Sequence, residues 1–269
     1  GYLTNETLFT LTELPRRLAV IGAGPIGVEM AQTFRRFGSE VELVEMADRI
    51  LPREDPDVSE AVGSALEKEG VEIHLAAGLK GVARQGEERT LTLSDGEELV
   101  VDQIMVAIGR APNVDGLGLE AAGVAYDRRG GVEVNRYLQT GNRHIYAAGD
   151  IAYHYKFTHA AEATAAIAVQ NALFLRTKRS DGLVIPWCTY TAPEVAHVGL
   201  SETEAERRGL QLSTYRHDLS EVDRARLEGE EGFVKLHALK GKLVGATIVA
   251  AHAGEMVGEL VLAIQHGLT

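Results

Sequence analysis

Three glycines in the segment VIGAGPIGVEMAQTF have the spacing G-x-G-x-x-G. The first of them, Gly22, is placed to make a tight turn, and the second, Gly24, lets the backbone approach a pyrophosphate. The third, Gly27, lets the following helix pack closely against the strand before it. The N-terminus of that helix adds free N–H groups and a positive dipole end. The pattern predicts a dinucleotide site, although glycine turns between strands and helices are also common without one.

Glu45 ends the second predicted strand after the glycine motif. A carboxylate at this position can accept hydrogen bonds from both ribose hydroxyls of a dinucleotide, and it repels a 2′-phosphate. The alternative is a solvated strand end. Arg49 follows four residues later, as a partner for a 2′-phosphate or as an ordinary surface charge. The pattern favours NAD over NADP.

Other candidate residues give weaker patterns. Gly149 and Asp150 follow an apolar segment, where the carboxylate could accept a sugar-alcohol hydroxyl, but Gly-Asp is also an ordinary turn pair. Residues 107–113 leave a predicted buried strand, and a simple exit loop explains them equally well. The nine histidines show no metal-binding spacing, so we predict no metal site. Cys188 is the single cysteine, which excludes an intrachain disulfide, and we interpret it as a small buried hydrophobe.

The elements that position the glycine motif alternate between strand and helix patterns. Ile26, Met30, Phe34 and Phe37 recur at helical spacing and predict the buried face of the first helix. A β-α-β-α-β order implies a parallel sheet with right-handed crossovers. The predicted elements are strands at 18–21, 41–45 and 71–75, and helices at 25–37 and 57–69.

After residue 75 the patterns change. The pair Asp95-Gly96 lies between two alternating runs and predicts a hairpin, and a buried strand follows at 104–108. Short strands are expected between residues 130 and 150, then an alanine-rich helix at 160–175. The remainder reads as an α+β module, with Ser201 as the N-cap of a helix at 202–208. Its other elements are strands at 189–190, 197–198, 214–217, 232–236 and 243–249, and a helix at 254–266.

Composition limits the possible partners. The net charge of −12 argues against binding to nucleic acid or to anionic membranes. No apolar run approaches the ~20 residues needed to span a bilayer, and no signal peptide is visible. With one cysteine, these features favour a cytoplasmic protein. Because the chain begins at Gly1, we expect a piece of a longer protein.

Five segments, taken together, resemble the pyridine nucleotide–disulfide oxidoreductases, the flavoenzyme family of dihydrolipoamide dehydrogenase, glutathione reductase and mercuric reductase. VIGAGPIGVE is similar to the fingerprint of the family's NAD domain, MVAIGRAPNVDGLGLE to the exit from that domain, and IYAAGDIA to the second FAD motif. TYTAPEVAHVGLSETEAE and GATIVAAHAGEMVGELVLAIQHGLT resemble the dimerisation domain. GPIGVE and VDRARLEGEEGFVKL favour the mercuric reductase-like branch, whereas EMADRILPREDPDVS equally resembles dihydrolipoamide dehydrogenase.

The resemblance implies an α/β fold: a Rossmann-like NAD-binding domain, the second part of an FAD-binding domain, and an α+β dimerisation domain. The boundaries it suggests are a linker at 1–14, an NAD(P)-binding domain at 15–111, the C-terminal portion of an FAD-binding domain at 112–183, and an incomplete dimerisation domain at 184–269.

The resemblance also implies roles for individual residues. Pro25 stands where many family members carry a tyrosine lid over the nicotinamide site, and Glu29 matches a glutamate that pairs with a lysine near the flavin. No other catalytic residue is expected in this chain. The residues implied around NAD are Gly22, Gly24, Ile26 and Gly27 at the pyrophosphate, Glu45 at the adenosine ribose, Leu79 on the adenine side, and Ala107, Ile108, Gly109 and Arg110 at the nicotinamide half. Those implied around FAD are Gly149 and Asp150 at the ribitol or pyrophosphate, and Thr158 near the flavin ring.

The implied activity is hydride transfer between NAD(P)H and FAD in a homodimer, with electrons passed on to a disulfide, a metal ion or another acceptor. The chain lacks the family's redox cysteine pair, its first FAD fingerprint and its C-terminal His-Glu pair, so we expect this piece alone to be inactive. Two alternatives stay open: a non-catalytic nucleotide-binding and dimerisation module, and a soluble transhydrogenase-like flavoenzyme without a redox disulfide. The acceptor is also open.

Overall fold

The computed structural model describes residues 1–269, which fall into two units. The first unit comprises Gly1–Gly109 and Pro186–Thr269, and the second comprises Arg110–Ile185. In chain order, the elements of the first unit up to Gly109 are β1 (Arg17–Ile21), α1 (Pro25–Phe37), β2 (Glu40–Val44), α2 (Pro56–Lys68), β3 (Val71–His74), β4 (Leu79–Gln85), β5 (Glu88–Leu93), β6 (Glu98–Val101) and β7 (Gln103–Val106).

A four-stranded parallel sheet in the order β3-β2-β1-β7 forms the centre of this part of the unit. The predicted β-α-β-α-β order is confirmed. One face of the sheet packs on the two helices, and the other packs on the antiparallel sheet β4-β5-β6. The hairpin predicted at Asp95-Gly96 is confirmed as the turn between β5 and β6.

Helix α1 has the predicted bounds because both of its ends are specified locally. Pro25 occupies its first turn, and Gly38 closes it in the left-handed conformation with φ +107°. The predicted buried face is partly wrong. Val28, Ala31 and Phe34 are buried, whereas Ile26 and Phe37 are exposed, because the sheet contacts a stripe rotated from the one that apolar spacing suggested.

The first 14 residues, expected as a linker, pack onto the unit. Leu3 forms a bridge with Met105 of β7, and the side chains of Leu3 and Leu8 are buried. Strand β4 had no counterpart in the sequence-based prediction. All seven of its residues are exposed, so it carries no alternating apolar pattern.

The first unit continues with an antiparallel sheet whose order is β10-β11-β14-β13-β12. The predicted α+β module is confirmed, and Ser201 caps α4 by accepting a hydrogen bond from the Glu204 N–H (3.1 Å). The six-residue helix α5 was missed, since it is too short to show a helical period and, unlike α4, has no capping side chain at its start. The elements are β10 (Trp187–Thr189), β11 (Glu194–Gly199), α4 (Glu202–Arg207), β12 (Ser213–Asp218), α5 (Asp223–Glu228), β13 (Phe233–Leu239), β14 (Lys242–Ala250) and α6 (Ala253–Gln265).

The second unit contains β8 (Tyr126–Asp127), β9 (Gly131–Val132), a 3-10 turn at Gly149–Ile151 and α3 (Thr158–Leu173). The short strands predicted between 130 and 150 are largely wrong: apart from β9, only an isolated bridge between Gln139 and Tyr146 forms. The Asn135 side chain accepts hydrogen bonds from backbone N–H groups here, so turns replace a ladder. In neither unit does a helix have the length and apolar character required to cross a bilayer.

Candidate functional site

The protein's own backbone leaves no room for a side chain at two glycines of the turn between β1 and α1. Gly22 has φ +100°, and its N–H donates to the Val44 carbonyl (2.8 Å). A Cβ on Gly22 would lie 2.7 Å from the Ala107 oxygen, and one on Gly27 would lie 1.8 Å from the Gly22 oxygen. Side chains at these positions would collide with backbone, so the fold itself requires both glycines.

Gly24 differs from the other two. It is the N-cap of α1 with φ −72°, a value open to any residue, and no atom lies within 4 Å of the Cβ it lacks. Nothing within the protein requires glycine here. No protein acceptor is found for the N–H groups of Gly24, Ile26 and Gly27. The end of α1 therefore presents free donors and a positive dipole beside an open space.

The Glu45 carboxylate lies at this turn. Its Oε2 accepts a hydrogen bond from the Ala23 N–H (2.7 Å), and its Oε1 accepts one from the Ala47 N–H (2.9 Å). Each oxygen keeps a further lone pair for an incoming hydroxyl. Arg49, the residue weighed for a 2′-phosphate, lies 3.8 Å from Asp48 and lines a cavity of about 430 Å³ beside α2.

The structure brings the exit from β7 to the same edge of the sheet. The Ala107 N–H donates to the Ile21 carbonyl (2.8 Å), and both the Ala107 oxygen and the Ile108 Cα border Gly22. Ile108 is 76% exposed and Gly109 has φ +111°, so this segment presents open backbone. Leu79 begins β4 and is partly exposed, and the residue before it lies beside Met46, which follows Glu45.

Four predicted residues lie in the second unit, namely Arg110, Gly149, Asp150 and Thr158. Arg110 Nη1 contacts Asp150 Oδ2 (3.3 Å) and donates to the Lys156 carbonyl (3.0 Å). Gly149 has φ +73°, and its N–H donates to the Oγ1 of Thr164, a fully buried residue of α3 (3.0 Å). Sequence reasoning missed Thr164, whose only signal is a hydroxyl in an alanine-rich helix.

Thr158 is the first residue of α3, and no side chain caps that end of the helix. Its free N–H groups form a second positive helix terminus.

Glu29 of α1 accepts a hydrogen bond from the Tyr190 N–H (2.8 Å), and burial raises the pKa of this glutamate. Cys188 is half-buried. Burial, with the negative charges of Glu194 and Glu29, raises the pKa of its thiol to about 12. The thiol is therefore protonated and unreactive near neutral pH, which fits the structural interpretation of this cysteine.

A buried ionic cluster joins α2 to the antiparallel sheet, and the sequence-based prediction missed it. Lys235 Nζ contacts Asp55 (3.0 Å), Asp57 (2.8 Å) and Glu202 (2.9 Å), and the lysine side chain is 2% exposed. Burial alone raises the pKa of Asp55, but hydrogen bonds from the Thr203 N–H and from Lys235 outweigh it and lower that pKa to about 2. The cluster holds the start of α2 in place, and α2 is the next helix in the chain after Glu45.

Next to this cluster, Glu54 accepts a hydrogen bond from Trp187 Nε1 (2.6 Å) and is 3% exposed. Burial raises the pKa of Glu54 from its ordinary value of 4.5 to about 7. Between about pH 4.5 and pH 7, Glu54 therefore keeps its proton in the folded state, whereas the unfolded chain has already released it. The stability that this group provides is complete below about pH 4.5 and is lost as pH rises through about 7.

Glu54→Gln is expected to remove this pH dependence, since the amide can accept the same hydrogen bond without a charge. The unfolding free energy of the variant minus that of the wild type should therefore grow by about 3 kcal/mol as pH rises from about 5 to about 8. Urea unfolding across this range measures the difference, with Glu60→Gln on the exposed side of α2 as control. His197, whose pKa burial lowers to about 4, contributes equally to both proteins. A difference that does not change with pH would contradict the assignment.

Comparison with known proteins shows which family has this arrangement. Residues 1–165 match the family model described as pyridine nucleotide-disulphide oxidoreductase, and residues 185–269 match the dimerisation domain of the same family. The chain belongs to the pyridine nucleotide-disulphide oxidoreductases. The resemblance inferred from the five sequence segments is confirmed.

Several members of this family are similar over nearly the whole chain. A mercuric reductase from Staphylococcus aureus is 38% identical over 274 residues, which cover 100% of this chain and 50% of that protein. A dihydrolipoyl dehydrogenase from Thermus scotoductus is 38% identical over 264 residues, covering 95% of this chain and 57% of that protein. The chain thus spans about half the length of the curated relatives it matches.

The solved structures agree with the predicted fold class. The HOCl-induced flavoprotein disulfide reductase RclA from Escherichia coli matches with a TM-score of 0.90 at 28% identity, over 100% of this chain and 62% of that one. LpdA from Mycobacterium tuberculosis matches with a TM-score of 0.89 at 29% identity, over 99% of this chain and 59% of that one. The predicted combination of a Rossmann-like part and an α+β dimerisation part is confirmed for this family.

Proposed function

We propose that this chain supplies the NAD(P)H-binding and dimerising parts of a flavin-dependent oxidoreductase. In the full-length protein, a hydride passes between NAD(P)H and FAD, and electrons go on to a disulfide, a metal ion or another acceptor. The cofactors supply the redox chemistry, and the chain's own residues bind and orient them. Similar proteins are mercuric reductases and dihydrolipoyl dehydrogenases, which supports this reaction class.

The open N-terminus of α1 is the observation that carries the nucleotide assignment. Gly22 and Gly27 have internal reasons to be glycine, but Gly24 has none. A pyrophosphate approaching the three free N–H groups explains why a side chain is missing at Gly24. The residues present therefore fit a dinucleotide, with Pro25 and Ile26 flanking the pyrophosphate in the first turn of α1.

Glu45 supports NAD rather than NADP. Its carboxylate is fixed by two backbone N–H groups at the edge of the glycine turn, and its free lone pairs can accept the two ribose hydroxyls. A 2′-phosphate in that position would meet a negative charge. Leu79 lies beyond the end of β3, on the side where we propose the adenine binds.

Glu45→Ala is expected to weaken NADH binding by about 1–3 kcal/mol, because the ribose hydroxyls lose their acceptor. Fluorescence titration with NADH measures the change, and Glu40→Ala at the opposite end of β2 is the matched control. Glu45→Gln separates the effect of charge from that of shape, since glutamine has a similar size but no charge. This variant should lower the affinity for NADH and reduce the preference for NADH over NADPH. Unchanged NADH affinity in Glu45→Ala would overturn the ribose assignment.

For the nicotinamide half, we propose the segment Ala107 to Gly109, whose exposed backbone leaves β7 beside Gly22. Arg110 follows this segment in the chain and is proposed to line the nicotinamide half as well. Pro25 places no aromatic ring at the start of α1, so the approach to the nicotinamide is not covered by a side chain of this turn.

The chain's contribution to FAD binding is proposed at Gly149, Asp150 and the N-terminus of α3. The Asp150 carboxylate is partly exposed and available to hydroxyls, and Thr158 begins an uncapped helix whose dipole favours negative charge. The carboxylate fits the hydroxyls of the flavin cofactor's ribitol, and the helix terminus fits the cofactor's negative charge. Glu29 is proposed as the flavin-side partner of a lysine outside this chain. Its carboxylate accepts a hydrogen bond from the Tyr190 N–H and forms no ion pair with a lysine or arginine of this chain.

The assembly and location follow from the same assignment. We propose a homodimer formed through residues from about 184 onward, where the dimerisation model matches. A cytoplasmic location is proposed because NAD(P)H is available there and the chain has a single cysteine.

A further inference from the structure

A group of carboxylates and one histidine lies on the parallel sheet away from the glycine turn. Glu42 of β2 is directly opposite Glu72 of β3 in the register, and His74 stands two residues further along β3, on the same face. Glu97, from the turn between β5 and β6, approaches His74 from the neighbouring sheet. We call these four residues the Glu42–His74 cluster.

The His74 ring is held from both sides. Its Nε2 lies 2.7 Å from Glu42 Oε2, and its Nδ1 lies 3.2 Å from Glu97 Oε2. One donor atom from each of Glu42, Glu72 and His74 lies within 4.8 Å of the other two. The His74 side chain is 14% exposed, so the ring is positioned by packing as well as by its partners.

No lysine or arginine pairs with the three carboxylates of this cluster. The nearby Arg35 lines a groove of about 250 Å³ with Glu42 and Glu72, but its guanidinium donates to the carbonyls of Glu69 and Ser39. The other group with a similar donor set, Asp55, Glu202 and His237, differs in this respect. The Lys235 ammonium already occupies its centre.

We infer that the Glu42–His74 cluster binds a divalent transition-metal ion such as Zn²⁺. His74 Nε2 and one oxygen each from Glu42 and Glu72 are the protein ligands, and water completes the tetrahedron. Imidazole with carboxylates is a donor set that Zn²⁺ accepts. Glu97 is the acceptor for the other ring nitrogen, the carboxylate–histidine–metal arrangement that orients a ligating imidazole.

The geometry needs only side-chain adjustment. Zn–N and Zn–O distances of about 2.0–2.2 Å place tetrahedral ligands about 3.3 Å apart. The Glu42 and His74 donor atoms therefore move apart by about 0.6 Å, because their direct hydrogen bond gives way to the metal. Glu72 is exposed and free to turn toward the ion, while the β2–β3 ladder keeps the backbone fixed.

The test is isothermal titration of the chelator-treated protein with Zn²⁺, with Co²⁺ absorption as a report of coordination. One equivalent is expected to bind, and His74→Gln is expected to weaken it by about 100-fold. Glu97→Gln should weaken it by about 10-fold, as for an orienting partner. His217→Gln is the matched control, since His217 pairs with Glu221 (3.4 Å) on an exposed strand, and it should bind as the wild type does.

Glu72→Gln tests Zn²⁺ binding even if His74→Gln fails to fold. Glu72 is exposed and no hydrogen bond of its side chain is found, so this variant should keep its thermal midpoint and lose Zn²⁺ affinity. Equal affinity in the wild type, Glu72→Gln and His74→Gln would overturn the proposal. Loss in His237→Gln with retention in His74→Gln would also overturn it, because the ion would then sit at the Lys235 cluster.

Discussion

Lys235→Met is expected to lower the free energy of unfolding by about 3–5 kcal/mol, the cost of leaving buried charges without their partner. The Lys235 ammonium contacts Asp55, Asp57 and Glu202 within 3.0 Å. Asp55 is almost wholly buried and cannot regain water when the lysine is removed. Methionine fills a similar volume, so the loss reports charge rather than a cavity.

Urea unfolding near pH 7 measures this effect. Lys68→Met is the matched control, because Lys68 and Glu231 are 3.5 Å apart with both side chains largely exposed, and its effect should stay within about 0.5 kcal/mol. The loss in Lys235→Met should shrink as pH falls toward about 4, since the stranded carboxylates then take up protons. A loss no larger than that of Lys68→Met would show that the cluster does not stabilise the fold.

Gly24→Thr is expected to lower NADH affinity by about 100-fold, or about 3 kcal/mol, while leaving stability nearly unchanged. The new side chain meets no protein atom, and threonine ranks with glycine as an N-cap. It would, however, occupy the space of the pyrophosphate, and its hydroxyl would bond the helix donors that the phosphate needs. Binding and folding are therefore separated in a single variant.

Equilibrium dialysis with NADH and thermal unfolding measure the two effects. Gly81→Thr on exposed strand β4 is the control, since its added Cβ also meets open space, and it should leave both quantities unchanged. Gly27→Ala offers the contrasting case, because its Cβ would lie 1.8 Å from the Gly22 oxygen and must disturb the turn itself. Full NADH affinity in Gly24→Thr would move the nucleotide away from α1.

Features encoded by neighbouring residues could be predicted from the sequence. Helix α1 begins and ends as expected because Pro25 and Gly38 specify its ends within a few residues. The parallel sheet could be predicted because strand and helix patterns succeed one another in the order β-α-β-α-β, which implies right-handed crossovers. Glu45 could be singled out because its position after β2 depends only on this local order.

Features that join distant parts of the chain could not be predicted in this way. Lys235 meets Asp55 and Asp57 across about 180 residues, and no local pattern reports such a pairing. The buried face of α1 was misjudged for a related reason: the sheet, rather than the apolar spacing, decides that Ile26 stays exposed. Strand β4 was missed because it buries no face.

Within the candidate site, the sequence predicted which residues line the turn. It did not show which of these glycines the fold itself requires and which has open space around it. All three glycines fit one motif, yet only the structure separates Gly24, with its open surroundings, from Gly22 and Gly27. The two N–H groups that fix the Glu45 carboxylate are equally invisible in the sequence, since they depend on the path of the turn.

Amide chemical shifts during an NADH titration test the central claim most directly. If the pyrophosphate binds the N-terminus of α1, the backbone N–H signals of Gly24, Ile26 and Gly27 should show the largest shifts, because these three donors gain an acceptor. The Ala23 N–H, bonded to Glu45, should shift as the ribose engages that carboxylate. NADH binding that moves other amides and leaves these signals in place would contradict the account.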